Sequence, residues 1–326
     1  MRKIWVWIIL VLVLIALIYF GLKLFKKDSS NPSQNPSDST SEQTSPTNKS
    51  WQERGVAIAG KYADAEVVNV GNGQYRMYYS VEPEVQGNNL EVYSATSADG
   101  IDWTLEEGTR KTMATFPDVI RLPNYPGAET GYFYRMYYQN AGVIKSATST
   151  DGLTWTDEPG TRMDNNEAGF SLDNVGAQST TILNDGTFIM AYRGTIPEPY
   201  QTTQKVPNQN TQLYFYATSK DGLTFEKKGI ALDSRNETLY GLTDGGEWID
   251  FDGELRMSFW SYSGVYHSVY KDGVFATPVF DYTNSKDSKV KFAPNPPGDP
   301  TLAKINGTWF MYYGQHTKGI YYAEYK

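Results

Sequence analysis

The chain contains no cysteine. That excludes a disulfide framework, a thiolate metal centre and a cysteine nucleophile. Only two histidines are present, His267 and His316, so no multi-histidine metal site can be assembled. Positive charge is also in short supply. The 29 Lys and Arg residues are outnumbered by 37 Asp and Glu, for a formal net charge of −8. Such a balance argues against nucleic acid or an anionic surface as partner. What the sequence does have is aromatic side chains: 25 Tyr, 14 Phe and 8 Trp, a composition that favours strands. With 40 % hydrophobic and 20 % charged residues in 326, the chain has a globular composition and room for one large domain or two small ones.

The N-terminus departs from this composition. Ile4 to Leu22 are 19 residues without a charge, flanked by Arg2 and Lys3 before and by Lys23, Lys26 and Lys27 after. A helix of that length nearly spans a hydrocarbon core of roughly 30 Å. It is longer than a signal-peptide core and no A-x-A-like cleavage site follows, so an uncleaved transmembrane anchor is expected over 1–27. The flanking positive charges nearly balance and leave its orientation open. Residues 28–50, DSSNPSQNPSDSTSEQTSPTNKS, hold no aliphatic or aromatic side chain and read as a disordered tether. A spacer of this kind places the remaining domain outside the cytoplasm. Asn48, Asn236 and Asn306 stand in N-x-[ST] sequons, which matter only in a host that glycosylates secreted protein.

Residues 51–326 are repetitive. YRMYY occurs at Tyr75–Tyr79 and at Tyr134–Tyr138, with weaker copies FIMAY, LRMSF and WFMYY; their methionines are Met77, Met136, Met190, Met257 and Met311. The first three copies are followed by ATSADGIDW, ATSTDGLTW and ATSKDGLTF, and the fourth by a degraded HSVYKDGVF. A short apolar run ending in a Gly, Asn or Asp turn precedes each methionine, as tight hairpins require. Each unit therefore predicts four antiparallel strands, and five units predict an all-β, five-bladed propeller. The last unit stops one strand short at Lys326. WQERGVAIA (Trp51–Ala59) is similar to the outer strand FEKKGIAL (Phe225–Leu232) of the third unit. The N-terminal strand is thus expected to complete the last blade and close the ring.

Strand direction sorts the acids. Asp99, Asp151 and Asp221 belong to D-G turns at one face, where backbone hydrogen bonding is their expected role. Trp103, Trp155 and Phe225 beside them are expected on outer strands, packing blade against blade. The residues that open the inner strands converge at the other face: Asp64 and Glu66, Asp118, Gln178 and Ser179 with Asp173 upstream, Asp244 and Glu247, and Asp299. Gln139, Arg193, Trp260 and His316 end the second strands at the same mouth. Several carboxylates there must be offset by solvent, a cation or function. Trp can stack on a sugar ring and Arg can bond its hydroxyl or carboxylate groups, so the mouth reads as a sugar site.

Over Trp51–Lys326 these strings and opening acids resemble the five-bladed propeller glycosidases of the arabinanase, xylosidase and fructosidase type. The S-x-D-G-x-x-W string also resembles the sialidase Asp box, but it is one residue shorter and no arginine triad accompanies it. The glycosidase resemblance implies a blade-one Asp as base or nucleophile, a blade-two Asp that tunes the acid, and a Glu further round that donates the proton. Asp64 in ADAEVV matches the first. Asp118 in FPDVIRL matches the second, though it also aligns with Glu66. Blade three opens with VGAQSTTIL and has no Glu; Glu247 in GGEWIDF, one blade on, is the nearest substitute. The implied chemistry is glycoside hydrolysis by paired carboxyl groups. The implied sugar contacts are Gln139, Gln178, Arg193, Trp260, Asp299 and His316. A channel calcium held by carboxylates and water is compatible with the acids, but no dedicated loop is present and no other cofactor is expected. A glycan is the expected partner of a monomeric, membrane-anchored enzyme. Two other readings stay open: a non-catalytic sugar-binding or adhesion propeller that has lost its acid, and a surface scaffold for proteins.

Overall fold

A computed structural model of the chain describes residues 49–82, 90–122, 134–201, 210–284 and 296–326. The expected anchor, 1–27, and nearly all of the tether, 28–50, lie outside the described residues. Among the described residues no helix is long and apolar enough to cross a membrane.

Five antiparallel sheets form, and each holds one repeat. Blade one runs from its inner strand Tyr62–Gly71 through Gln74–Val81 and Glu91–Ser97 to Thr104–Leu105, with Lys111–Thr112 alongside. Blade two is Thr115–Arg121, Tyr134–Asn140, Val143–Ser149 and Thr156–Asp157. Blade three is Asn174–Ile182, Phe188–Ile196, Thr211–Ser219 and Glu226–Leu232. Blade four is Asp244–Phe251, Glu254–Ser261, Gly264–Lys271 and Val274–Phe275, with Val279–Tyr282 alongside. Blade five is Gly298–Ile305, Thr308–Gln315 and Gly319–Tyr325, and its fourth strand is Trp51–Ala59. That N-terminal strand pairs antiparallel with Gly319–Tyr325, from Trp51 opposite Tyr325 to Ala59 opposite Gly319. The ring closes as the sequence predicts. Blades three and five have the longest outer strands, which is why their sequence likeness was visible.

The core lies between blades rather than within them. Five apolar clusters occupy the five blade junctions, and the repeat methionines Met77, Met136, Met190, Met257 and Met311 are wholly buried in them. Their soft, unbranched side chains fill the gaps left by the surrounding aromatic rings.

The D-G string is a junction lock. The Asp99 carboxylate accepts the N–H groups of Ile101 and Asp102, both within 2.9 Å, and Asp151 and Asp221 do the same in their own turns. The glycine carbonyl then receives a tyrosine hydroxyl from the preceding blade: Tyr312 to Gly100, Tyr78 to Gly152 and Tyr137 to Gly222, at 2.6 to 2.9 Å. A Cβ on Gly152 would stand 2.6 Å from that Tyr78 hydroxyl, so the site needs glycine for space as well as for its φ of 72°. Trp103, Trp155 and Phe225 meet the same tyrosines edge-on. All three sit one residue before an outer strand, not on it.

Candidate active site

The five inner strands share a device that the sequence did not reveal. Each carries a one-residue bulge at its opening, where three residues are spanned by two on the neighbouring strand. The first bulged residue is left-handed in every blade: Asp64, Phe116, Ala177, Gly245 and Asp299, with φ of 54°, 50°, 43°, 54° and 46°. This conformation is the usual one for a glycine-type bulge, and Asp tolerates it better than most residues do. The conformation is repeated five times around one channel, strained at the four positions that are not glycine, and the bulges line its cavity.

The bulges set the alignment of the blades. Glu66 lies opposite Tyr78, Asp118 opposite Tyr137 and Thr301 opposite Tyr312. These partners are equivalent tyrosines, so Asp118 is the counterpart of Glu66 and not of Asp64. Ser179 and Glu247 complete this lower layer. Asp64 shares its upper layer with Asp299 alone among acids. The two layers are two residues apart, about 6–7 Å along a strand.

In the upper layer, Asp64 is buried and its carboxylate accepts from the Ser80 hydroxyl and, at 3.4 Å, from the Phe116 N–H. Burial pushes its pKa up to about 6, with the Asp244 charge adding to the shift and the two hydrogen bonds opposing it. Asp299 accepts the Trp260 indole N–H at 3.1 Å. Burial first, and then the charges of Asp64 and Asp244, hold its carboxyl well above the usual range. Arg193 grips both oxygens of Asp244 through Nη1, at 2.8 and 2.9 Å, and lies over the Phe116 ring. Its Nη2 reaches Gln139 at 3.5 Å and Asn174 at 3.3 Å.

In the lower layer, burial pushes Asp118 up to about 8. Glu66 and Glu247 are held well above the ordinary glutamate value by burial and by the acids facing them. Glu247 also accepts the Leu302 N–H of the next blade at 3.1 Å, and Ser179 does the same for the Trp248 N–H at 2.9 Å. Residues of both layers line one pocket that is partly open to solvent, with an accessible volume of about 30 Å³. Among the described residues no group of three or more His, Cys, Asp or Glu is arranged to hold a metal ion.

Other expected contacts are placed differently. Gln178 spends its amide nitrogen on the carbonyls of Phe116 and Tyr137, at 2.5 and 3.1 Å, which ties blade three to blade two. His316 falls just past its strand. The position facing the channel, equivalent to Gln139, Arg193 and Trp260, is Gly314, and the His316 ring is 60 % exposed with Glu82 at 3.8 Å. Asp173 is exposed. Two residues with clear work at the site were missed. Ser80 holds Asp64, and the buried Tyr214 hydroxyl donates to the Ala177 carbonyl at 2.8 Å and accepts from the Gly246 N–H, pinning two bulges together. Ser80 lies at the end of a second strand, as Gln139 does, so its position was readable even though its partner was not.

A pH dependence of stability follows. A raised carboxyl pKa means that the folded state keeps protons the unfolded chain has released. Stability is then greatest below about pH 4 to 5 and is lost as pH rises through the folded values near 6 and 8. The D-G aspartates are shifted the other way and act below that window. The melting temperature is expected to fall between pH 5 and pH 8, and Asp118→Asn, neutral throughout, to flatten the slope. A level profile in the unaltered protein would show that these carboxyls titrate normally.

No family model matches the sequence, and no curated protein is similar to it. Its fold is shared with solved glycoside hydrolases. A thermostable family-43 glycoside hydrolase superposes with a TM-score of 0.59 at 16 % identity, over 84 % of this chain and 91 % of that one. A β-xylosidase gives 0.56 at 11 % identity, over 84 % and 94 %. A protein from the GH130 family of mannoside phosphorylases, which contains hydrolases that target β-1,2-mannosidic linkages, gives 0.56 at 16 % identity, over 81 % and 84 %. What these likenesses establish for this chain is the five-bladed propeller expected from the repeats.

Proposed function

We propose that the protein is a glycoside hydrolase that cleaves a glycan at the channel mouth, with Asp64 as the carboxylate that attacks the sugar or activates water. The observation that carries this reading is the upper layer itself: two acids at equivalent positions on adjacent blades, Asp64 and Asp299, lining one partly open pocket. One carboxyl group protonates the leaving oxygen while the other serves as nucleophile or base. A carboxyl that is buried and raised holds a proton near neutral pH, as the donor must. Asp118 keeps the role of tuning its neighbours, since its charge bears on Glu66 and Glu247.

The substrate sugar is uncharged. Among the described residues no Lys, Arg or His lines the cavity, and Arg193 is committed to Asp244. A uronic or sialic acid would meet carboxyl groups there without a compensating cation among the described residues. The Ile4–Leu22 segment anchors the protein in a membrane, and the Ser- and Pro-rich tether carries a monomeric propeller on the extracytoplasmic side. The competing reading, a sugar-binding propeller, draws on blade three, whose opening offers Ala177, Gln178 and Ser179 and no acid.

The test is to incubate the full-length protein in mild detergent with xylo-, arabino- and manno-oligosaccharides and with uronic-acid oligomers, and to measure released sugar. Release from neutral glycans alone is expected. Glycan binding without release would favour the binding propeller.

A further inference from the structure

We infer that Asp299, not Glu247, delivers the proton to the departing glycosidic oxygen. The inference rests on the hydrolase reading above and goes beyond it.

Glu247 is engaged in a joint between blades. Its carboxylate binds the Leu302 N–H of the next blade, the same joint that Ser179 makes one blade earlier with a hydroxyl. A position that a serine fills equally well is serving the frame. It also lies a layer below Asp64 along the inner strands. Asp299 occupies the bulge position equivalent to Asp64 on the neighbouring blade. One of its oxygens accepts from Trp260, which fixes the carboxyl and leaves the second oxygen for a proton. The backbone makes room for it. A Cβ on Gly245 would lie 2.3 Å from Asp299 Oδ1, so blade four carries glycine where blade five carries its acid. The groups facing Asp299 are Asp64, Asp244 and Arg193, and the two acids favour its protonated form.

The step balances simply. Asp299 gives its proton to the glycosidic oxygen as the bond to the anomeric carbon breaks, and that oxygen keeps the bonding pair and leaves as an alcohol. Asp64 adds to the anomeric carbon, or takes a proton from the water that does. Where Asp64 adds, water then displaces it from the anomeric carbon and gives its proton to Asp299; where Asp64 takes the proton from water, Asp64 releases it to solvent and Asp299 regains one, so one water is consumed either way.

The experiment compares 2,4-dinitrophenyl and methyl β-D-xylosides, with the corresponding arabinofuranosides and mannosides run alongside, on the full-length protein. Dinitrophenolate leaves without protonation, so only the methyl glycoside needs the acid. Asp299→Asn is expected to lose about 10²–10⁴-fold on the methyl glycoside and under tenfold on the dinitrophenyl one, the usual range for a general acid. Asp64→Asn should lose on both, and Glu247→Gln should show no such split. A split in Glu247→Gln, or an equal loss on both substrates in Asp299→Asn, overturns the assignment. If the unaltered protein cleaves neither glycoside nor any oligosaccharide, the hydrolase reading itself falls, a different result from either. Trp260→Phe supplies a check that needs no loss of the acid. It removes a bond that favours the ionised carboxylate, so the alkaline limb of the pH profile on the methyl glycoside should move to higher pH. An unmoved limb with folded protein would also count against Asp299.

Discussion

Asp64→Asn is expected to lower kcat/KM by about 10²–10⁴-fold while leaving the protein as stable as before, the loss typical of a removed base. The separation of the two effects is what makes the substitution informative. Asn has the shape of Asp and keeps an oxygen that can accept from the Ser80 hydroxyl and the Phe116 N–H. It also tolerates the left-handed backbone at this bulge, where φ is 54°. A negative charge near Asp244 and Asp299 disappears, which relieves repulsion rather than adding to it. Only the ability to attack, or to take a proton from water, is lost. Turnover and melting temperature measured on the same sample decide the matter. A rate within tenfold of the unaltered protein would remove Asp64 from the chemistry, and a collapse in melting temperature would mean that the carboxylate serves the frame.

The propeller was legible because its information is local and repeated. One string of methionine and aromatic residues marks each second strand, and one Ser-x-Asp-Gly string marks each of three turns. Every residue in that turn has a short-range job, so the sequence alone could assign Asp99, Asp151 and Asp221 to structure. The closing strand was legible for the same reason, through its likeness to Phe225–Leu232. The site was legible only as a set of acids. What separates Asp64 from Glu66, and sets Asp118 with the latter, is one extra residue in each strand, and a bulge of that kind leaves no mark in composition. The bonds that assign roles span long separations. Trp260 reaches Asp299 across 39 residues and Arg193 reaches Asp244 across 51. His316 is displaced from the expected strand end for a smaller reason: two residues past Gly314, the chain has already left that strand.

Gly245→Ala is expected to be among the most damaging single-atom additions to the domain, and a second glycine gives its control. Gly253 also has a left-handed backbone, with φ of 94°, and nothing lies within 4 Å of the Cβ it would gain. Gly253→Ala therefore carries backbone strain alone, about 1–2 kcal/mol. Gly245, with φ of 54°, would carry that strain plus a Cβ placed 2.3 Å from the Asp299 Cα. A backbone atom cannot swing aside as a side chain does, so blades four and five must separate at the mouth. Overpacking of this kind adds about 1–3 kcal/mol, for a total near 2–5 kcal/mol. The displaced residue is the one assigned to carry the proton, so the methyl glycoside should suffer more than the dinitrophenyl one in whatever protein remains folded. Denaturation of the two variants side by side isolates the contact from the strain. Equal destabilisation would mean that the two blades do not approach this closely, and the shared mouth of Asp64 and Asp299 would lose its geometric basis.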